Sequence, residues 1–162
     1  MKEFSNLSLT KFVPASFSAQ TSNVQKSCAG TGGIMWLISG GAFQGKLEYA
    51  LALTGRNKKE VADGMECSMQ ELFEKPLANH FHSWIDRMLK EEQDVNTLVE
   101  QIIDHNPGIV IIVNELGCGI VPMDPYDRMY REFTGRICCR LAKEAEEVHR
   151  VICGLGTVIK NA

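Results

Sequence analysis

The segment Gly40-Gly41-Ala42-Phe43-Gln44-Gly45-Lys46 carries the most visible chemistry in the sequence. Gly40, Gly45 and Lys46 meet the spacing G-x-x-x-x-G-K. In such a loop the glycines let backbone N–H groups converge on an anion, and the lysine ammonium reaches the outer phosphates of a nucleotide. Residues 34–39 form a short apolar run just before it, and residues 46–54 read as a helix stopped by Gly55. A strand, a glycine turn and a helix is the setting a phosphate loop requires, and the helix adds its positive N-terminal end. Gly40, Gly41, Ala42, Phe43, Gln44, Gly45 and Lys46 are therefore the expected nucleotide-binding residues. The next residue is Leu47, where the motif places a Ser or Thr hydroxyl that ligates Mg2+.

A second segment, residues 114–122, runs Asn-Glu-Leu-Gly-Cys-Gly-Ile-Val-Pro. Glu115 at the end of a buried strand, followed by Gly117 and Gly119, suits a carboxylate that orients a metal or a substrate hydroxyl. It equally suits a capping residue with glycines used for chain reversal, and both readings stand. Asn79-His80-Phe81-His82 is the one histidine cluster. On a strand the two imidazoles would share a face, whereas on a helix they lie about 200° apart, too far to chelate one ion. Helix-start geometry is expected, with either imidazole chemically competent as a nucleophile. His105 and His149 are expected at solvent-facing or edge positions.

The elements that must position these residues follow from periodicity. Phe81, Trp84, Ile85, Met88 and Leu89 recur at helical spacing, and so do Val95, Leu98, Val99, Ile102 and Ile103. Residues 109–113 are an unbroken apolar run, as expected of a parallel strand covered on both faces. Met129, Phe133, Ile137, Leu141 and Ala145 then mark a long helix leading into strands at 148–152 and 157–159. Residues 56–78 are weakly patterned, with a short strand near 61–65. The economical architecture is an α/β domain with a mostly parallel, helix-covered sheet. Ligands bind such sheets beyond the C-terminal strand ends, which selects residues 40–46, 114–122 and 153–156.

Length and composition bound the rest. The chain has 162 residues, 44% hydrophobic and 23% charged, which suits one globular domain. A net charge of −3 gives no footprint for general nucleic-acid binding. The longest apolar runs fall far short of the roughly 20 residues of a membrane span. The six cysteines, Cys28, Cys67, Cys118, Cys138, Cys139 and Cys153, contain no CxxC pair, so reduced thiols in the cytoplasm are expected. Residues 1–32 hold six Ser, three Thr and three Lys against one acidic residue, unlike the remainder. We expect residues 1–34 to be a mobile extension, with native translation starting at Met35, and residues 35–162 to be a single nucleotide-binding domain.

The run Val113-Asn114-Glu115-Leu116-Gly117-Cys118-Gly119-Ile120-Val121-Pro122, with Tyr130-Arg131-Glu132-Phe133, Gly135-Arg136, Leu141-Ala142, Ala145, Val148 and Gly154, resembles the adenosylcobinamide kinase / adenosylcobinamide-phosphate guanylyltransferase family. Residues 34–49 resemble that family's first strand and phosphate loop, so the likeness covers about half the chain. It implies a phosphate-loop NTPase-like α/β fold, phosphorylation of the aminopropanol hydroxyl of adenosylcobinamide, then transfer of GMP from GTP through a guanylyl-histidine, in cobalamin biosynthesis. Lys46 and Glu115 would be the catalytic pair and residues 40–46 the cradle for GTP or ATP. The corrinoid would be the second substrate, and the chain would form homo-oligomers, trimers by resemblance. The family's phosphate loop ends Gly-Lys-Ser where Leu47 stands here, and its second acidic strand end aligns with Asn79. Any bound Mg2+ is thus expected to be weakly held. Between Thr54 and Asn79 this chain lacks much of the segment in which the family carries its nucleophilic histidine, and Cys138 and Cys139 replace Asn and Gln. The alternative is a nucleotide-binding homologue without catalysis, acting as a regulatory or assembly subunit.

Overall fold

The computed structural model describes residues 33–161. The expected extension, apart from Gly33 and Ile34, lies outside these residues, as do Cys28 and Ala162. Six strands form one sheet in the order β2-β3-β4-β1-β5-β6. They are β1 (Trp36–Gly40), β2 (Val61–Asp63), β3 (Leu77–Asn79), β4 (Val110–Asn114), β5 (Glu147–Ile152) and β6 (Leu155–Asn161). All neighbouring pairs are parallel except β5 with β6, an antiparallel hairpin. The helices are α1 (Lys46–Thr54), α2 (Met69–Glu74), α3 (Phe81–Lys90), α4 (Val95–His105) and α5 (Pro125–Glu144). This is the expected α/β, mostly parallel, helix-covered fold, consistent with a phosphate-loop NTPase.

The central strands are apolar on both faces because each face meets a different layer. Leu37, Ile109, Ile111, Val113 and Val148 pack with Phe81, Trp84, Ile85, Val99, Ile102, Ile137 and Leu141. The alternate residues Trp36, Ile38, Val110, Ile112 and Val151 pack with Ala50 of α1 on the opposite face. Helix starts are set by their first residues: Asp94 caps α4 through Asn96 N and Thr97 N, and Asp124 caps α5 through Tyr126 N and Asp127 N ahead of Pro125.

Two local expectations need correction. The unplaced stretch before Asn79 holds α2, begun by a Ser68/Glu71 capping box, and β3, whose three residues are too few to show a period. His149 is not solvent-facing but 1% exposed. It follows the period-two alternation of β5, opposite Ile38, so its ring turns into the α1 layer. There Tyr49 Oη lies 2.9 Å from Nδ1 and Glu147 Oε2 lies 3.0 Å from Nε2. Because the carboxylate only accepts, Nε2 carries a proton there, and the Tyr49 hydroxyl satisfies Nδ1. His80 and His82 stand at a helix start, as expected. His80 is the left-handed N-cap of α3, φ 50°, which brings the ring centroids within 6.0 Å. His105 is exposed, as expected, and stacks on Phe73 at 4.5 Å between centroids.

Candidate nucleotide site

β1 ends at Gly40, where a β-carbon would lie 2.4 Å from the Val151 carbonyl oxygen. Only glycine lets the chain turn there against β5. Residues 41–44 make the loop, with Phe43 at φ 57° and its ring fully exposed, and left-handed Gly45 caps α1 without a side-chain bond. The first N–H groups of α1 thus remain available to an anion. Lys46 is buried, and its Nζ donates to the Gly41 carbonyl at 2.7 Å, inside its own loop. Burial pushes its pKa below the ordinary lysine range, while the Glu115 charge pulls the other way.

The three segments selected from the sequence meet here. The backbone N–H of Glu115 donates to the Gly40 carbonyl at 3.0 Å, joining residues 114–122 to the loop. Gln44 joins residues 153–156. Its carbonyl accepts from Gly154 N at 2.8 Å and its Oε1 from Cys153 N at 2.6 Å. The turn of the β5–β6 hairpin therefore forms one wall of the phosphate loop. Past Glu115, Arg131 holds the Gly117 and Ile120 carbonyls, and Arg128 holds those of Pro122 and Met123, leaving Ile120, Val121 and Met123 exposed.

Glu115 is an ion-paired carboxylate. Arg150 grips it with Nε to Oε1 and Nη2 to Oε2, both at 2.9 Å. Ser39 Oγ donates to Oε1 at 3.4 Å, and Cys118 Sγ lies 3.7 Å from Oε2. The guanidinium bond is the chief reason its pKa falls below the usual carboxylate range. A carboxylate so held is a poor proton acceptor at neutral pH. Arg150 was missed from the sequence, although a charged residue inside the apolar run 148–152 was its signal.

On the other flank, Asn114 N donates to His82 Nδ1 at 3.4 Å, and its amide nitrogen lies 3.0 Å from Nε2. Burial first, and then the charges of His80 and Lys46, lower the His82 pKa to about 4. Its imidazole is neutral at pH 7. His80 Nδ1 lies 2.9 Å from Asp63 Oδ1.

The donor set does not fit a Mg2+ ion held by the protein in the usual way. Leu47 packs against the α1-side core, both Glu115 oxygens are bonded to Arg150, and buried Asn79 offers no charge. Among the described residues no three His, Cys, Asp or Glu side chains converge on one point.

Comparison with known proteins agrees with this architecture. Residues 75–159, just over half of the chain, match the family model described as cobinamide kinase / cobinamide phosphate guanyltransferase. The chain belongs to this family. The match includes Glu115 and Arg150, while the phosphate loop precedes it. Among curated proteins the chain is similar to two called bifunctional adenosylcobalamin biosynthesis protein CobU. The Salmonella typhimurium protein is 44% identical over 52 residues, 32% of this chain and 29% of that protein. The Escherichia coli protein is 37% identical over 73 residues, 43% of this chain and 40% of that protein. The chain thus spans less than half the length of either relative.

Proposed function

We propose that this protein is a nucleotide-dependent transferase of cobalamin biosynthesis that moves a phosphoryl group from GTP or ATP to the aminopropanol hydroxyl of adenosylcobinamide. The observation that carries this reading is the convergence of residues 40–46, the free start of α1 and the family's Asn114–Pro122 segment at one sheet edge. Residues 41–45 and the first turn of α1 receive the phosphates through backbone N–H groups. Lys46 leaves the Gly41 carbonyl for the outer phosphates, exchanging a neutral acceptor for a charged one. The acceptor oxygen bonds to the terminal phosphorus as the bond to the departing nucleoside diphosphate breaks, and the hydroxyl proton passes to solvent, so catalysis rests on positioning and charge neutralisation.

Phe43, Ile120, Val121 and Met123, exposed on loops at this edge, offer apolar contact to a large corrinoid. We place the protein in the cytoplasm, which its five free described cysteines suit, and none of its described helices is long and apolar enough to cross a membrane. Homo-oligomers, trimers by resemblance, are supported by exposed Leu155, Val158 and Ile159 on the outer strand β6.

Calorimetric titration with GTP and ATP tests the nucleotide site. We expect saturable binding that Lys46→Ala weakens about tenfold to a hundredfold, the worth of a charge-assisted bond. Binding that is unchanged in that variant would refute the site.

A further inference from the structure

A nucleoside triphosphate delivers several negative charges to the phosphate loop, and this chain's protein ligands do not fit the Mg2+ that ordinarily offsets them. The cation placed there is an arginine. β5 and β4 lie on opposite sides of β1, with Arg150 in register with Ser39. The Arg150 side chain passes over Ser39 to Glu115, so its guanidinium spans the end of β1 where the phosphate loop begins. Nε and Nη2 are taken by Glu115, which fixes the plane of the fork, while Nη1 makes no hydrogen bond among the described residues. The side chain is 48% exposed, so this edge is open to a ligand.

We propose that Arg150 is a phosphate-binding residue of the nucleotide site, held over the end of β1 by Glu115 and supplying the positive charge that phosphate-loop proteins otherwise take from Mg2+. This rests on the nucleotide reading above and deepens it. Lys46, Arg150 and Glu115 leave one net positive charge at the loop, matched to an anion. Arginine suits the role because it stays charged at any physiological pH and its outer N–H groups address two phosphate oxygens at once. Glu115 is on this account the anchor of a cation rather than the ligand of a metal. An exposed ion pair contributes little to stability, so a purely structural purpose is a weak reason for placing an arginine in this strand.

GTP is titrated into the full chain in excess EDTA and again with Mg2+, using the unaltered protein, Arg150→Met and Arg150→Lys. The unaltered protein should bind in EDTA. Arg150→Met should lose about tenfold or more there, and less with Mg2+ present, because the ion then substitutes for the lost charge. Arg150→Lys should fall between, retaining charge without the fork. If Arg150→Met does not fold, Arg150→Lys carries the test and must still lose several-fold in EDTA. Equal binding in EDTA by the unaltered protein and the variants overturns the proposal, and so does binding that requires Mg2+ outright. Failure of the unaltered protein to bind under either condition overturns the nucleotide reading itself and this proposal with it.

Discussion

Arg150 of β5 and Glu115, the residue after β4, are joined by two hydrogen bonds of 2.9 Å although β4 and β5 are not neighbours: the pair straddles β1. It ties the two strands flanking the phosphate loop above that loop's root. The Gln44 contacts to Cys153 and Gly154 tie the crest of the loop to the same hairpin. The loop is therefore braced at both ends by β5 and its turn.

The Gln44 brace gives a local prediction. Gln44→Ala removes the acceptor of Cys153 N–H but leaves the backbone bond from Gly154 N to the Gln44 carbonyl. In native-state hydrogen exchange the Cys153 amide should lose protection while amides of β1 and β4 keep theirs. Unchanged exchange at Cys153 would show that the side-chain bond does not hold the turn.

The other face of the hairpin depends on Tyr49. A β-carbon at Gly156 would lie 2.1 Å from the Tyr49 ring, and that ring's hydroxyl satisfies His149. Gly156→Ala must displace the ring and break that bond. Tyr49→Phe keeps the ring and removes only the hydroxyl, leaving His149 Nδ1 unpartnered at a cost of about 1–3 kcal/mol. Chemical denaturation should rank Gly156→Ala as the more damaging of the two.

His82 makes stability depend on mildly acidic pH. Its folded pKa of about 4 lies below the unfolded value of 6.5, so the unfolded chain binds the proton more readily. The stability associated with the neutral ring is complete above pH 6.5 and is lost as pH falls from 6.5 towards 4. For a half-buried ring the loss is about 2 kcal/mol after solvent screening. His82→Gln should flatten the unfolding free energy across that window in urea titrations. An unchanged slope would assign the acid sensitivity to other groups.

What the sequence made legible was local. Residues 40–46 announce themselves because the glycines and the lysine sit within one turn, and residues 109–113 because a strand buried on both faces must be continuously apolar. Three-residue β3 shows no period, whereas the helix start at His80 is legible because the spacing of Phe81, Trp84 and Ile85 begins just after it. His149 was misplaced because polarity suggested surface, whereas a partner from α1 made burial tolerable. The Arg150–Glu115 bond joins residues 35 positions apart, one on β5 and one just past the non-adjacent β4, so only the sheet order reveals it.

Phosphoryl transfer to a corrinoid separates an enzyme from a nucleotide-binding subunit. The direct measurement is mass-spectrometric detection of adenosylcobinamide phosphate after the full chain is incubated with adenosylcobinamide and GTP or ATP. We predict product with the unaltered protein and its loss in Lys46→Ala, whose nucleotide binding falls in parallel. Saturable nucleotide binding with no phosphorylated corrinoid would contradict that transfer and make the chain a nucleotide-binding subunit without catalysis.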